Sequence, residues 1–295
     1  MSCHCDEKTK ASEYLSPNIH TWCTNCGNYG IQAAVRRALA AENIPICKSL
    51  LCFDIGCNGN GADKIEGYRY HGLHGRILPF AAGAAIANQN ITTLAFAGDG
   101  ATLAEGVGHL VSTVRGNYNV TFILHNNMNY GLTTGQASPT TRENMEMNSS
   151  PDGPTSEAIH PVKLVMALNP SFVARTFSGD VKHMTETFRQ GIQHRGFSFI
   201  EVLQSCPTYN KATPHEWYMQ RVYDVNTIEN YDPTNFIWAN EVADDIMEKI
   251  AIGVLYKNPN QVCFSDKIEG RKDVPTQLVD EVQAVEIDTY LEAFR

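Results

Sequence analysis

The 295-residue sequence lacks the long hydrophobic run that a membrane span requires. No stretch approaches the roughly 18 unbroken apolar residues of a transmembrane helix, and residues 1–10 are polar, without the apolar centre of a signal peptide. Positive charge is also scarce: 23 lysines and arginines against 32 aspartates and glutamates give a net charge of −9. No basic stripe with interleaved aromatic residues is present, which argues against a nucleic-acid partner. We therefore expect a cytoplasmic globular protein that acts on small molecules.

The nine cysteines do not form the even, dense framework of a disulfide-stabilised secreted protein. Cys47, Cys52 and Cys263 lie in or near apolar runs and are predicted to be small buried side chains. Cys3 and Cys5 lie in a terminal segment that we expect to fray, and the sequence assigns them no role. The other four cysteines are candidates for a metal centre, because in a reducing compartment such use is more common than a disulfide.

Strand-length apolar runs alternate with helix-like stretches along the chain. The strands are predicted at residues 49–55, 92–97, 120–125, 172–177 and 197–203, and several are nearly continuous rather than alternating, which is typical of strands buried on both faces. The helices are predicted at residues 29–42, 78–88, 103–117, 156–168, 181–195 and 238–256. This order predicts an α/β fold with a doubly wound, mostly parallel sheet.

The domain organisation follows from the same pattern. We assign residues 1–240 to the domain that binds the cofactors and residues 241–295 to a C-terminal helical extension packed on it. One segment interrupts the alternation: residues 138–160 are polar and rich in Pro, Asn and Ser. Such a stretch predicts a long loop that either lines a site or is mobile.

The strongest local motif joins the ends of two consecutive predicted strands. Gly98-Asp99-Gly100 follows one strand directly, and Asn126-Asn127-Met128-Asn129 ends the next. The first motif alone would suit a tight turn, but together an acid and an amide project from carboxyl strand ends, where open α/β sheets bind ligands. A diphosphate there requires a helix N-terminus, closely approaching glycines and a hard cation. Asp99, Asn127 and the Asn129 carbonyl supply three oxygen ligands for Mg²⁺.

Other phosphate-binding motifs are absent from the sequence. GxxxxGK[ST] does not occur, and residues 56–61 miss the spacing of GxGxxG. By contrast, the Gly-Asp-Gly motif followed some 25 residues later by Asn-Asn resembles the pattern of thiamine diphosphate enzymes.

Four cysteines occupy positions that could converge. Cys23 and Cys26 form a CxxC motif just before a predicted helix, whereas Cys57 and Cys206 follow predicted strands at their carboxyl ends. Four thiolates can bind a structural zinc ion or a [4Fe–4S] cluster, and the spacing alone leaves both open.

Taken together, these stretches resemble the β subunit of the 2-oxoacid:ferredoxin oxidoreductases. In the order of that family and across residues 20–212, the matching stretches are TWCTNCGNYGI, DIGCNGNG, HGLHGRILPFAAGAAIAN, GDGATLAEGVGHL, HNNMNYGLTTGQASPTT and EVLQSCPTYN. The resemblance implies thiamine diphosphate, Mg²⁺ and a [4Fe–4S] cluster as cofactors. It implies cluster ligation by Cys23, Cys26, Cys57 and Cys206, and Mg²⁺ ligation by Asp99, Asn127 and Asn129. We assign the thiamine diphosphate contacts to Cys57, Asn58, His74, Gly98, Asp99, Gly100, Asn127, Gly131, Leu132 and Thr133.

The resemblance also implies a reaction. It is the reversible oxidative decarboxylation of a 2-oxoacid, such as pyruvate or 2-oxoglutarate, to an acyl-CoA formed from coenzyme A, with electrons passing through the cluster to ferredoxin. The activating glutamate is expected on a partner α subunit with the pyrimidine-binding domain, because this chain carries only the diphosphate half. Two alternatives stay open: a non-oxidative thiamine decarboxylase or carboligase with a structural zinc ion, and an inactive scaffold subunit. Asn60 replaces a basic residue found in many relatives, so the substrate stays open.

Overall fold

The structure is a computed structural model that describes residues 8–282, 287, 291 and 292. Its central element is a β-sheet. Cys3 and Cys5 lie outside the described residues. In chain order the strands are β1 Ser49–Phe53, β2 Tyr68–His71, β3 Thr92–Gly98, β4 Val120–Asn126, β5 Phe172–Phe177, β6 Phe197–Leu203, β7 Val222–Asp224 and β8 Ile250–Lys257. They form an eight-stranded sheet in the order β2-β1-β3-β4-β6-β5-β8-β7. The β5–β8 pair is antiparallel and the other neighbouring pairs are parallel.

Helices cover both faces of the sheet. The α-helices are α1 Gly27–Ala41, α2 Gly56–Gly59, α3 Ile77–Ala87, α4 Val107–Gly116, α5 Pro161–Met166, α6 Val181–Gln193, α7 His215–Met219 and α8 Phe236–Asp244. Helices α1 and α6 pack side by side on one face, whereas α3, α4, α5 and α8 contribute to the core on the other. All seven residues of β4 and of β6 are buried, which accounts for their nearly unbroken apolar sequences.

The predicted doubly wound, mostly parallel α/β fold is confirmed. The predicted strands 172–177 and 197–203 match the observed bounds, and the other three differ by one or two residues at their carboxyl ends. Cys52 and Cys263 are buried as predicted, whereas Cys47 is only half-buried. Among the described residues, no helix is long and apolar enough to cross a membrane.

Three of the helix predictions are wrong in extent. The predicted helix 103–117 is a π-helical segment, Ala101–Glu105, followed by α4. The predicted helix 156–168 begins only at Pro161, the first position of α5, where proline's fixed φ suits a helix start. The predicted helix 238–256 ends at Asp244, and its second half is strand β8.

The C-terminal helical extension, predicted for residues 241–295, is therefore wrong for the part that contains β8. The boundary after residue 240 falls inside α8. Beyond it, β8 pairs with both β5 and β7 inside the sheet. Ile250–Lys257 is almost wholly buried, and a short, continuously apolar run of this kind does not distinguish a helix from a strand by its periodicity.

Candidate active site

A cavity of about 440 Å³ lies at the carboxyl ends of β1, β3, β4 and β6. Its volume falls within the range of small-molecule sites. All ten residues predicted from the sequence to contact the cofactor line it: Cys57, Asn58, His74, Gly98, Asp99, Gly100, Asn127, Gly131, Leu132 and Thr133. The parallel arrangement brings them together, since it places the ends of separate strands along one edge.

Two glycines shape the floor of this cavity in different ways. A Cβ atom on Gly98, the last residue of β3, would meet no other atom within 4 Å, so that position faces free space. A ligand can therefore approach the backbone at Gly98 as closely as a diphosphate requires. A Cβ atom on Gly100 would lie only 2.1 Å from the Tyr130 ring, so this glycine makes room for the tyrosine that lines the cavity.

Asp99 is a buried carboxyl group held by a distant loop. Its Oδ2 atom accepts hydrogen bonds from the hydroxyls of Ser138, at 2.5 Å, and Thr140, at 2.6 Å. Burial raises the pKa of Asp99 to about 6, and the two hydroxyl donors offset part of that rise. A bound cation would favour the ionised form. The two hydroxyls thus fix the orientation of a carboxyl group that lines the cavity.

Asn127 and Asn129 form a tight turn beside Asp99. The Asn129 backbone N–H donates to the Asn127 side-chain oxygen at 3.2 Å, and the Asn129 amide donates to the Asn127 carbonyl at 2.9 Å. Met128, between them, adopts a left-handed φ of 56°. Both asparagines are buried and line the cavity together with Asp99. The structure thus brings the three predicted magnesium ligands to one wall.

Unpartnered polar atoms occur around the cavity. Asn28 Nδ2 and both side-chain polar atoms of Asn58 are buried without a hydrogen-bond partner. Both residues line the cavity. Buried polar groups are normally hydrogen-bonded, so these atoms suit a polar ligand that supplies the partners. Burial lowers the pKa of His125 to about 3, although a side-chain hydrogen bond with Gln204 opposes the shift, and the ring stays neutral.

The sequence did not single out several lining residues as contacts. They are Asn28, Ile55, Gly56, Ala101, Glu105, His125, Tyr130 and Gln204. Asn28 lies at the start of α1, and Glu105 lies at the end of the π-helical segment. Only the folding of the chain brings these two residues to the cavity. Gln204 could have been predicted to line the cavity, because it directly follows the carboxyl end of β6.

The four candidate cysteines line a second, adjoining cavity of about 150 Å³. Burial raises the pKa of Cys26 to about 11 and that of Cys57 to about 12, and the neighbouring cysteines of the group contribute to both shifts. Asn60 lines this cavity too. Within the described part of the chain, no three His, Cys, Asp or Glu side chains are arranged to bind one metal ion. The four cysteines are close enough to interact electrostatically around this cavity.

Comparisons with known proteins agree with this geometry. Residues 54–202 match the family "Thiamine pyrophosphate enzyme, C-terminal TPP binding domain", and residues 206–273 match the family for the C-terminal region of the pyruvate ferredoxin oxidoreductase beta subunit. The chain is 37% identical over 270 residues to a 2-oxoacid:ferredoxin oxidoreductase subunit beta of Saccharolobus solfataricus, covering 87% of this chain and 88% of that one. It is 30% identical over 251 residues to the 2-oxoglutarate synthase subunit KorB of Archaeoglobus fulgidus, covering 82% and 94%.

A solved structure is similar over almost its whole length. It is described as a 2-oxoglutarate:ferredoxin oxidoreductase from Magnetococcus marinus with 2-oxoglutarate, coenzyme A and succinyl-CoA bound. The two chains share 28% sequence identity and superpose with a TM-score of 0.87, covering 98% of this chain and 97% of that one.

Proposed function

Because the chain belongs to the β subunits of the 2-oxoacid:ferredoxin oxidoreductases, we propose that it takes part in the reversible oxidative decarboxylation of a 2-oxoacid to an acyl-CoA. In this proposal it binds thiamine diphosphate, Mg²⁺ and a [4Fe–4S] cluster, mainly through residues 1–240. It acts in the cytoplasm within a hetero-oligomer whose α subunit supplies the pyrimidine-binding domain and the activating glutamate. Electrons leave through the cluster to ferredoxin.

The observation that carries the proposal is a wall shared by the two cavities. Cys57 lines both the 440 Å³ cavity and the 150 Å³ cavity, and so do Asn127, Gly131, Leu132 and Gln204. A group bound among the four cysteines would therefore be separated from the larger cavity by a single layer of side chains. Such a short separation suits electron transfer between the two cavities, whereas a purely structural metal site does not require it.

The residues of the larger cavity fit thiamine diphosphate with magnesium. The free space beside Gly98 allows close approach of a diphosphate, and Asp99 with Asn127 offers the oxygen ligands that Mg²⁺ prefers. When bound, thiamine diphosphate supplies the carbanion chemistry and electron storage that amino-acid side chains lack. The chain itself would hold the diphosphate, keep Asp99 ionised beside the cation, and present the neutral His125 and the Asn58 amide to the reacting end.

The residues of the cysteine cavity fit a cluster. Four thiolates can bind either a structural zinc ion or a [4Fe–4S] cluster, and Cys23, Cys26, Cys57 and Cys206 line this cavity. We favour the cluster because a group bound here would adjoin the larger cavity, where an electron acceptor has a use.

Metal analysis of the anaerobically purified αβ complex tests the cluster. We expect about four irons and four acid-labile sulfides per β chain, a broad visible absorbance that dithionite bleaches, and no stoichiometric zinc. Cys57→Ser should lose most of the iron, whereas the control Cys52→Ala, at a buried cysteine in the sheet core, should retain it. One zinc ion per chain with a colourless protein would contradict the proposal and support the non-oxidative alternative.

Turnover assays of the same complex test the reaction. Pyruvate and 2-oxoglutarate are the first substrates to try, because the similar Magnetococcus marinus structure is described with 2-oxoglutarate and coenzyme A. We expect ferredoxin reduction that depends on coenzyme A, thiamine diphosphate and the α subunit. Thiamine-dependent release of carbon dioxide without ferredoxin reduction would contradict the oxidative reaction. Failure to bind thiamine diphosphate with Mg²⁺ present would instead indicate a scaffold subunit.

A further inference from the structure

Gln204 occupies the wall between the two cavities. It lines both of them, is only 1% exposed, and directly follows β6. Its backbone N–H donates to the Asn126 carbonyl at 2.9 Å, which extends the β4–β6 pairing by one residue. This backbone hydrogen bond therefore fixes the position from which the Gln204 side chain extends into the wall between the cavities.

The amide group of Gln204 approaches one of the four cysteines. Its Nε2 atom lies 3.8 Å from Cys26 Sγ, in hydrogen-bonding geometry for a sulfur acceptor. Gly27, the residue after Cys26, makes room for this contact. A Cβ atom at Gly27 would lie 2.6 Å from Gln204 Cγ and 2.7 Å from the Ser178 hydroxyl oxygen. The glycine after the CxxC motif thus allows the amide to reach the sulfur.

The other end of the same amide lies beside a residue of the larger cavity. Burial lowers the pKa of His125 to about 3, and a side-chain hydrogen bond with Gln204 opposes that shift. Both residues line the 440 Å³ cavity. One amide therefore joins a cysteine sulfur to a histidine of the cavity where the organic cofactor and substrate are proposed to bind.

We propose that Gln204 is a positioning residue that couples the two cavities, by donating an N–H···S hydrogen bond to Cys26 that raises the reduction potential of the cluster. This inference rests on the proposed function, since it requires that the four cysteines hold the cluster. The physical reason is electrostatic. An added electron increases the negative charge on the ligand sulfurs, so a donor aimed at sulfur stabilises the reduced state more than the oxidised one.

The choice of residue fits this role. Glutamine provides a donor without adding a charge, whereas a glutamate would place a carboxylate beside the thiolates in a buried site and favour the oxidised cluster. A lysine would add a desolvated positive charge, which is costly in the same surroundings. A neutral amide adjusts the potential at the smallest cost in stability.

The test is a potentiometric titration of the reduced-cluster EPR signal in the αβ complex, with wild type and Gln204→Met compared. Methionine has nearly the same length but no N–H. We expect about a tenfold fall in the equilibrium constant for one-electron reduction, equivalent to ~59 mV towards more negative potential. Gln204→Glu should shift the potential in the same direction and further. Ser205→Ala, at the next buried position, is the matched control and should leave the potential unchanged.

The outcomes separate this inference from the proposed function. Wild-type complex without iron would refute the cluster itself. Intact clusters with the same potential in wild type, Gln204→Met and Gln204→Glu would overturn the role of Gln204, because a purely structural side chain changes thermal stability and not potential. If Gln204→Met fails to assemble, pulsed EPR of wild type with ¹⁵N-labelled glutamine side chains should still detect a nitrogen coupled to the reduced cluster. Absence of that coupling would overturn the inference.

Discussion

The hydroxyl of Thr140 lies 2.6 Å from the Oδ2 atom of Asp99, although 41 positions separate the two residues along the chain. Ser138, from the same loop, donates to the same oxygen. Residues 138–160 were expected either to line a site or to be mobile; the beginning of this loop does not line the 440 Å³ cavity but contacts Asp99, which does. Its hydroxyls fix the orientation of the carboxylate that faces the proposed magnesium position.

Thr140→Val should weaken binding of thiamine diphosphate with Mg²⁺ about tenfold. The substitution keeps the shape of the side chain but removes a hydrogen bond to a charged acceptor, and such bonds contribute about 1.5–3 kcal/mol. Titration calorimetry of the complex at limiting Mg²⁺ would measure the change. Thr121→Val is the control, because that buried hydroxyl donates to the Gly191 carbonyl, away from the cavity. Equal affinities in the two variants would refute the role given to Thr140.

Gly98→Ala should reduce thiamine diphosphate affinity more than tenfold while leaving the fold intact. Its methyl group would enter free space in the ligand-free chain, but that space borders the cavity floor. Gly83→Ala, in α3, also meets no atom within 4 Å and serves as a control far from the diphosphate position. There we expect unchanged affinity and a stability gain of about 0.5–1 kcal/mol, because alanine favours a helix interior. Undiminished affinity in Gly98→Ala would show that the ligand lies elsewhere.

Arg175 and Glu201 form an ion pair inside the sheet, between β5 and β6. The Arg175 Nε atom donates to Glu201 Oε2 at 2.7 Å, and both side chains are almost fully buried. Arg175→Met or Glu201→Leu alone should lower the free energy of unfolding by about 3–5 kcal/mol, since each leaves a buried charge without its partner. The double variant should lose much less free energy of unfolding than the two single variants lose together. Urea unfolding in a double-mutant cycle measures this, and strictly additive losses would contradict the pairing.

His194 provides a test of pH-dependent stability. Burial lowers the pKa of its ring to about 4, and the positive charge of Lys257 adds to the shift. The unfolded chain, with an ordinary histidine pKa near 6.5, therefore binds more protons between pH 6.5 and 4. In that window the free energy of unfolding should fall as the pH falls, by at most about 1.4 kcal/mol per pH unit from this group.

The variant His194→Gln isolates that contribution. The Nε2 atom of His194 lies 2.9 Å from the Ser171 hydroxyl, and the amide of a glutamine can occupy the same position without titrating. Urea unfolding at several pH values should give a shallower pH dependence for the variant than for wild type. If the two slopes are the same between pH 4 and 6.5, His194 is not protonated differently in the folded and unfolded states.

The sequence predicted the buried centre of the sheet well and its edges poorly. Strands β3 and β4 are largely apolar, and β5 and β6 are apolar except at a few positions that include Arg175 and Glu201, which gives strong signals for buried strands. By contrast, β2 consists of the exposed residues Tyr68–His71, and β7 has only three residues, so neither has a buried pattern to detect. The misassignment of β8 has another cause, since helix α8 and β8 are separated by only five residues and both are apolar.

The site was predictable where a motif coincides with a strand end. Asp99, Asn127 and the four cysteines could be named because each lies directly beside an element whose end the pattern marks. Asn28 and Tyr130 could not be named from the sequence. Asn28 lies at a helix start and Tyr130 in a turn, and their side chains reach the cavity only through three-dimensional packing. Ser138 and Thr140 belong to a matched stretch, but nothing in their spacing indicated that both would contact Asp99.

The buried arginine also gives the last part of the chain an unexpected importance. Arg175 reaches the carbonyls of Ala243 and Ala251, and its partner Glu201 accepts from the Asn126 amide, whose oxygen lies 2.9 Å from the Thr140 hydroxyl. A continuous set of polar contacts therefore runs from the carboxylate of Asp99 to the segment that was expected to be a packed helical extension. The end of α8 and strand β8 thus support the cavity wall from behind, and a chain cut at residue 240 would leave the buried Arg175 without these two carbonyl acceptors.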